Sequence, residues 1–338
     1  MSVFLSNSLN NTPLPIAFQT QIPSASQIPI KNKEKLYKKL VTHIWMTIAS
    51  NLSLKDLLTF GNTSRRTRII VIKTLINRLN ARVITPWDLR IIKITSLIDF
   101  FGKKCSKIRK LDLQKITDQD IEKISKNFKE LDHLLLKKSI ITDASALHLA
   151  KLSLKSLNLS KCTEIDKLSF LQYCKYLISL DLSGCSKIND FSFIQHCKDL
   201  TSLDLSWCTQ IKDISFLEDC KNLISLNLSG CTQINNFSFL EHSKGLINLD
   251  LSHCMQINDF SFLNHCKGLI NLDLSSCTHN DFSFLNHCKG LTTLNLSWCR
   301  QIFDISFLQD FKDLASLNLA ECIQINNFSF LQHCKNLT

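Results

Sequence analysis

Glycine and proline are scarce, with 7 and 5 in 338 residues, and Pro13, Pro15, Pro23 and Pro29 all fall before residue 30. Beyond that point the chain must turn with few of the usual turn-forming residues, and a collagen-like composition is excluded. Long apolar runs are also missing. Stretches such as Ile69-Ile70-Val71-Ile72 fall far short of the roughly 20 residues that cross a bilayer. The start lacks the basic, apolar and small-residue order of a secretory leader, so a soluble protein with no membrane partner is expected. Acidic residues are sparse in the first third only: residues 1–107 hold 17 Lys/Arg against 4 Asp/Glu, and residues 108–338 hold 23 against 25. The net charge of +11 therefore belongs to the N-terminal region. A nucleic-acid footprint clusters Lys and Arg on one face with aromatics to stack bases, whereas here the charge is confined to the N-terminal third; binding through its basic helices is a lesser alternative, and no nucleic-acid partner is expected. There is no Gly-rich phosphate loop, no Ser-His-Asp or Cys-His constellation in a plausible pocket, and no carboxylate dyad. The reading is a non-enzyme without a cofactor.

What is abundant repeats. The segment from Leu177 to Asp199 recurs from Leu200, Leu223 and Leu246 at a period of 23 residues. Traced outward, units begin at Ile108, Leu131, Leu154, Leu177, Leu200, Leu223, Leu246, Leu269, Leu291 and Leu314, the Leu269 unit being one residue short. Leu337-Thr338 opens another, an end expected to be truncated, unusual or self-associating because it would leave the last leucines and phenylalanines uncovered. Within a unit, Leu180 and Leu182 alternate with Ser179, Asp181 and Ser183, the period-2 pattern of a strand buried on one face. Asp190 then precedes Phe191-Ser192-Phe193-Ile194, where an Asx side chain can accept N–H bonds at the start of a helical turn. No single unit can bury both its leucines and its phenylalanines, but stacked copies share one core. A curved solenoid with strands on its concave side is predicted.

The pattern L-x-x-L-x-L-x-x-C resembles the leucine-rich repeat, and its Cys together with a second Cys near the unit's end is similar to the cysteine-containing subfamily. The resemblance covers 108–338, strongly from Leu154 onward. It implies an α/β solenoid with parallel strands on the concave face and short helices or 3₁₀ turns on the convex face. Eight of the 15 cysteines share one register, from Cys162 to Cys322, and six share another, from Cys174 to Cys334. A ladder of one ligand type closes no tetrahedral site, so no metal is expected and the thiols read as small buried hydrophobes. Phe170, Phe193, Phe216, Phe239, Phe262, Phe284, Phe307 and Phe330 read as a core spine. His196, His242, His265, His287 and His333 read as surface residues of the convex side.

A protein substrate would bind the concave face, whose outward residues are held on rigid strands. Asp181, Asp204, Asp250 and Asp273 are evenly spaced there. The column just before the first Cys runs Lys161, Gly184, Trp207, Gly230, His253, Ser276, Trp298, Glu321, and unlike the core columns it varies freely. Trp207 and Trp298 lie four strand spacings apart, about 19 Å at about 4.8 Å per strand. Each is either an exposed anchor or an indole folded over the next rung. With His253 and the four aspartates they are the candidate binding residues.

Residues 1–34 read as a flexible tail, 35–80 as a small helical domain, 81–107 as a helical linker or cap, and 108–338 as the solenoid. Leu40, Ile44, Ile48 and Leu52 recur every four residues, as in an amphipathic helix. The string Leu40-Val41…Ile44…Ile48…Leu52-Ser53-Leu54-Lys55-Asp56-Leu57-Leu58…Asn62-Thr63-Ser64-Arg65 resembles an F-box over about 38–80. F-box followed by cysteine-containing repeats is similar to the F-box/leucine-rich-repeat substrate receptors of ubiquitin ligases. That resemblance implies an adaptor in which Leu40, Ile44, Ile48, Leu52, Leu54, Asp56 and Leu57 dock a Skp-type subunit of a cullin–RING ligase. The alternative is a non-enzymatic interaction scaffold, including an effector acting in a host cell. So many thiols without a secretory leader point to the reducing cytoplasm.

Overall fold

The computed structural model describes residues 109–279 and 281–337. The tail, the F-box-like segment with Leu40, Ile44, Ile48, Leu52, Leu54, Asp56 and Leu57, and the 81–107 linker lie outside the described residues. Within them, ten three-residue strands form one parallel sheet in sequence order: β1 (Lys110–Asp112), β2 (His133–Leu135), β3 (Ser156–Asn158), β4 (Ser179–Asp181), β5 (Ser202–Asp204), β6 (Ser225–Asn227), β7 (Asn248–Asp250), β8 (Asn271–Asp273), β9 (Thr293–Asn295) and β10 (Ser316–Asn318). The register is that of the repeat, Leu180 opposite Leu203 and Asp181 opposite Asp204.

Such short strands suffice because rung-to-rung bonding continues past them. Leu182 N–H donates to Asp204 O at 2.8 Å and Gly184 N–H to Ser206 O at 2.7 Å. Leu177, Leu180, Leu182, Cys185, Ile188, Phe191, Ile194 and Cys197 of one unit are all buried. Each such Leu contributes about 1.5–3 kcal/mol, and the same positions recur next door, so the core is continuous along the stack.

The convex segment is a 3₁₀ turn in nearly every unit, for example Ser192–His196. The turn itself holds five residues, too few to nucleate a stable α-helix. Asp190, Asp213, Asn236, Asp259, Asp281, Asp304 and Asn327 each accept the N–H two residues on, at 2.8–3.0 Å, as the Asx pattern predicts. The first unit departs from this with α1 (Asp118–Asn127), opened by a Thr117–Asp120 capping box and burying Ile121 and Ile124. A short α2 (Ala146–Leu149) follows in the second unit. The Thr117-x-x-Asp120 spacing was the available sequence signal.

The predicted phenylalanine spine needs correction. Phe193, Phe216 and Phe284 are only partly buried, while Phe170, Phe239, Phe262, Phe307 and Phe330 are buried. The more regular core column lies two residues earlier: Leu168, Phe191, Ile214, Phe237, Phe260, Phe282 and Ile305. The short unit lacks the buried Ile found at Ile234, Ile257 and Ile302. His279 lies in the same stretch, with ring centroids 5.2 Å from Phe260 and 6.0 Å from Phe284. No described helix is long and apolar enough to cross a membrane.

Candidate functional site

The column that varies in sequence is uniform in backbone. Lys161, Gly184, Trp207, Gly230, His253, Ser276, Trp298 and Glu321 all have positive φ, from 59° to 71°. Here the chain leaves the strand while still bonding sideways: Trp207 N–H donates to Ser229 O at 2.7 Å and Cys208 N–H returns to Leu205 O at 3.1 Å. Only Gly184 and Gly230 occupy this left-handed region freely; a bulky residue there costs on the order of 1–2 kcal/mol. Trp207 is therefore held against its own backbone preference. Two glycines in an otherwise permissive column were the signal that sequence reading overlooked.

Side chains of this column lean onto the next rung. A Cβ placed on Gly230 would meet the Trp207 ring at 2.8 and 2.9 Å, and one on Gly184 would meet Lys161 Cγ at 3.3 Å. The indole of Trp207 thus lies across Gly230 and reaches His253 two rungs on, with ring centroids 5.8 Å apart, yet stays 56% exposed. Folding over the neighbour and offering a surface, posed as alternatives by the sequence, coexist. Trp298 is 50% exposed and is covered instead by its own rung: the Arg300 guanidinium sits 4.8 Å from its ring centre and 3.7 Å from Glu321. Met255, beside His253, is also exposed.

The aspartates form a ladder with asparagines: Asn158, Asp181, Asp204, Asn227, Asp250, Asp273, Asn295, Asn318. Seven of these eight side chains accept the N–H of the serine two residues on, at 2.9 Å from Asp181 and Asp204 and 2.8 Å from Asp273; Asn318 accepts from Ala320 N–H. One carboxylate oxygen of each Asp is thus committed to the fold. The second oxygen of Asp181 accepts from Asn158 Nδ2, and that of Asp273 from Asn295 Nδ2 at 2.8 Å. Asp204 and Asp250 have no such neighbour bond. Burial pushes both of their carboxyls above the ordinary carboxylate value, aided at Asp204 by Asp181 and at Asp250 by Asp273 and Asp204.

The thiols do more than fill space. In the first register each Cys Sγ donates to the Leu carbonyl of the preceding rung at 3.0–3.2 Å, stretching to 3.7 Å at Cys277 in the short unit. Burial pushes Cys208 and Cys254 up to about 12, so these are inert thiols. All fourteen described cysteines are free and buried. The five repeated histidines are exposed. Among the described residues no three His, Cys, Asp or Glu come together to hold a metal.

A family model for leucine-rich repeats, two copies long, matches residues 198–242. No curated protein matches the chain. Among solved structures, an internalin (inlF) from Listeria monocytogenes is similar at 23% identity, over 70% of this chain and 74% of that one, with a TM-score of 0.54. A TLR13–ssRNA13 complex is similar at 21% identity and TM-score 0.56, over 71% of this chain and 36% of that one, so this chain spans about a third of that receptor. These likenesses concern the fold: leucine-rich repeats stacked as a solenoid.

Proposed function

We propose that this protein is a non-enzymatic scaffold that grips a partner protein on the open face of its sheet, along the edge that carries Trp207, His253 and Trp298. The observation that supports it best is Trp207, half exposed, in a left-handed conformation and laid on a glycine that leaves room for nothing else. Large rigid aromatics at low entropic cost are what interfaces use as anchors. The same face carries Asp181, Asp204, Asp250 and Asp273, a charge that disfavours a phosphate backbone. Affinity capture with the full chain against its Trp207→Ala and Trp298→Ala variants tests this. Partners should be lost from the variants while their circular dichroism is unchanged; an unchanged partner set refutes the surface.

The finer reading is an adaptor of a Skp–cullin–F-box ligase in the cytoplasm. The F-box-like helices would hold the Skp-type subunit and the solenoid would hold the substrate, raising the effective concentration of a target lysine near the conjugating enzyme. Its support is the sequence resemblance over 38–80 and the array of unpaired, buried thiols among the described residues. A recombinant Skp-type subunit should bind the full chain at micromolar concentration and lose the Leu54→Asp/Leu57→Asp variant. No binding, with helices intact, leaves the scaffold without a ligase; an effector without F-box activity is the rival that result would favour.

A further inference from the structure

On three consecutive rungs, those beginning at Leu200, Leu223 and Leu246, two features run side by side. One is the shelf made by Trp207, Gly230 and His253, with the indole lying flat across the middle rung. The other is the run Asp204, Asn227, Asp250, whose two carboxylates each retain an oxygen with no hydrogen bond from the chain. The outer aspartates of the ladder, by contrast, are satisfied by asparagines. No Lys or Arg occurs in the strand-and-turn segments 178–186, 201–209, 224–232, 247–255 and 270–278, although the protein as a whole carries +11. This strip of the face is acidic, partly desolvated and aromatic along one border, which selects a cationic occupant.

Spacing selects the occupant's conformation. Asp204 and Asp250 stand two rungs apart, about 9.6 Å at about 4.8 Å per strand. A polyproline-II chain returns to the same side every three residues, about 9.3 Å. A β-strand returns every two residues, about 6.7 Å, and two α-helical turns take about 10.8 Å. Polyproline-II segments also dock on exposed aromatic surfaces without a large ordering loss.

We propose that these three rungs receive a polyproline-II stretch of a partner protein with Lys or Arg at every third residue. Its cationic ends meet the free oxygens of Asp204 and Asp250, and its ring-bearing backbone lies on the Trp207 indole. This rests on the open face being the binding surface. Burial of the two carboxyls works in the same direction, since a cation relieves the desolvation that raises them.

The test is calorimetric titration of the full chain with a peptide of repeated Pro-Pro-Arg and with an isomer of equal composition whose arginines sit at every second position of one segment, the remaining prolines following as a block. The every-third peptide should bind about tenfold more tightly, and Asp204→Asn/Asp250→Asn should lose about tenfold, the scale of losing charge-assisted contacts. That variant should keep its fold, because Asn already fills the ladder position at Asn158, Asn227 and Asn295 and accepts the same serine N–H. Asp213→Asn, at an Asx turn away from this strip where Asn236 and Asn327 already fill the same position, should change affinity little. Equal binding of the two peptides, or no effect of the double variant, overturns the proposal. If captured partners still depend on Trp207 in that event, the scaffold reading stands and only the cationic occupant falls.

Discussion

Trp207 shows how one residue can satisfy a repeat locally while departing from it in purpose. Its backbone does what Gly184 and Gly230 do on either side, and its ring needs the bareness of Gly230. Gly230→Ala should therefore act twice: the new Cβ would sit 2.8 Å from the indole, and an L-residue would enter a φ of 71°. We expect a stability loss of about 1–2 kcal/mol together with a shift in tryptophan emission as the ring is displaced. Gly184→Ala, which meets only the flexible Lys161 stem at 3.3 Å, should lower the urea midpoint but leave the emission unchanged. Equal spectra for both variants would contradict the described ring position. None of this could be read from the sequence, where the column shows only variety, because φ and the lean of a side chain depend on the rung that follows.

At the scale of the element, the repeat works because each short strand, turn and return bonds to its neighbours. The Cys column is the example. Sequence reading assigned these residues to the core for their size; the structure adds that each thiol satisfies a carbonyl of the preceding rung, as Cys231 does for Leu205 at 3.1 Å. A hydrophobe of similar size would fill the space and leave that carbonyl with the Cys208 N–H as its remaining donor. Cys231→Ala should cost about 0.5–1.5 kcal/mol for the lost bond in addition to the space it empties, measured by chemical denaturation, and Cys231→Ser less, since a hydroxyl also donates. With burial holding thiols such as Cys208 up to about 12, a colourless thiol reagent assay of the native array should show no fast modification at Cys162 through Cys334. Fast modification there would mean that the rungs open. The Asx turns were legible in advance, since Asp190 and its equivalents bond locally; the α1 helix was not, because the repeat pattern masked its capping box.

Across the molecule, two sets of aspartates respond oppositely to pH. Asp190, Asp213, Asp259 and Asp281 accept serine N–H and hydroxyl groups and are held below the ordinary value of 3.8. Their contribution is fully present above 3.8 and is lost as pH falls through the folded values. Asp204 and Asp250 are raised by burial; theirs is present below 3.8 and is lost as pH rises through the folded values. Asp204→Asn/Asp250→Asn should thus stabilise the protein at pH 7, with the gain vanishing in acid, whereas Asp213→Ala should destabilise at pH 7 and converge with the parent in acid. Denaturation midpoints across this range check the signs, and a double variant that is less stable at neutral pH would refute them.

The sequence by itself determined the solenoid. A pattern repeated every 23 residues, with leucines that no lone unit can bury, has a parallel stack as its solution, and strand register and core membership follow from identical rungs sharing one interior. The tertiary structure decided what the face offers. Only the approach of the next rung sets which carboxylate oxygens Asn158 and Asn295 occupy, which remain free on Asp204 and Asp250, and where the Trp207 ring comes to rest. These are relations between rungs about 4.8 Å apart, and a single chain of letters carries the spacing along itself but not the contacts across.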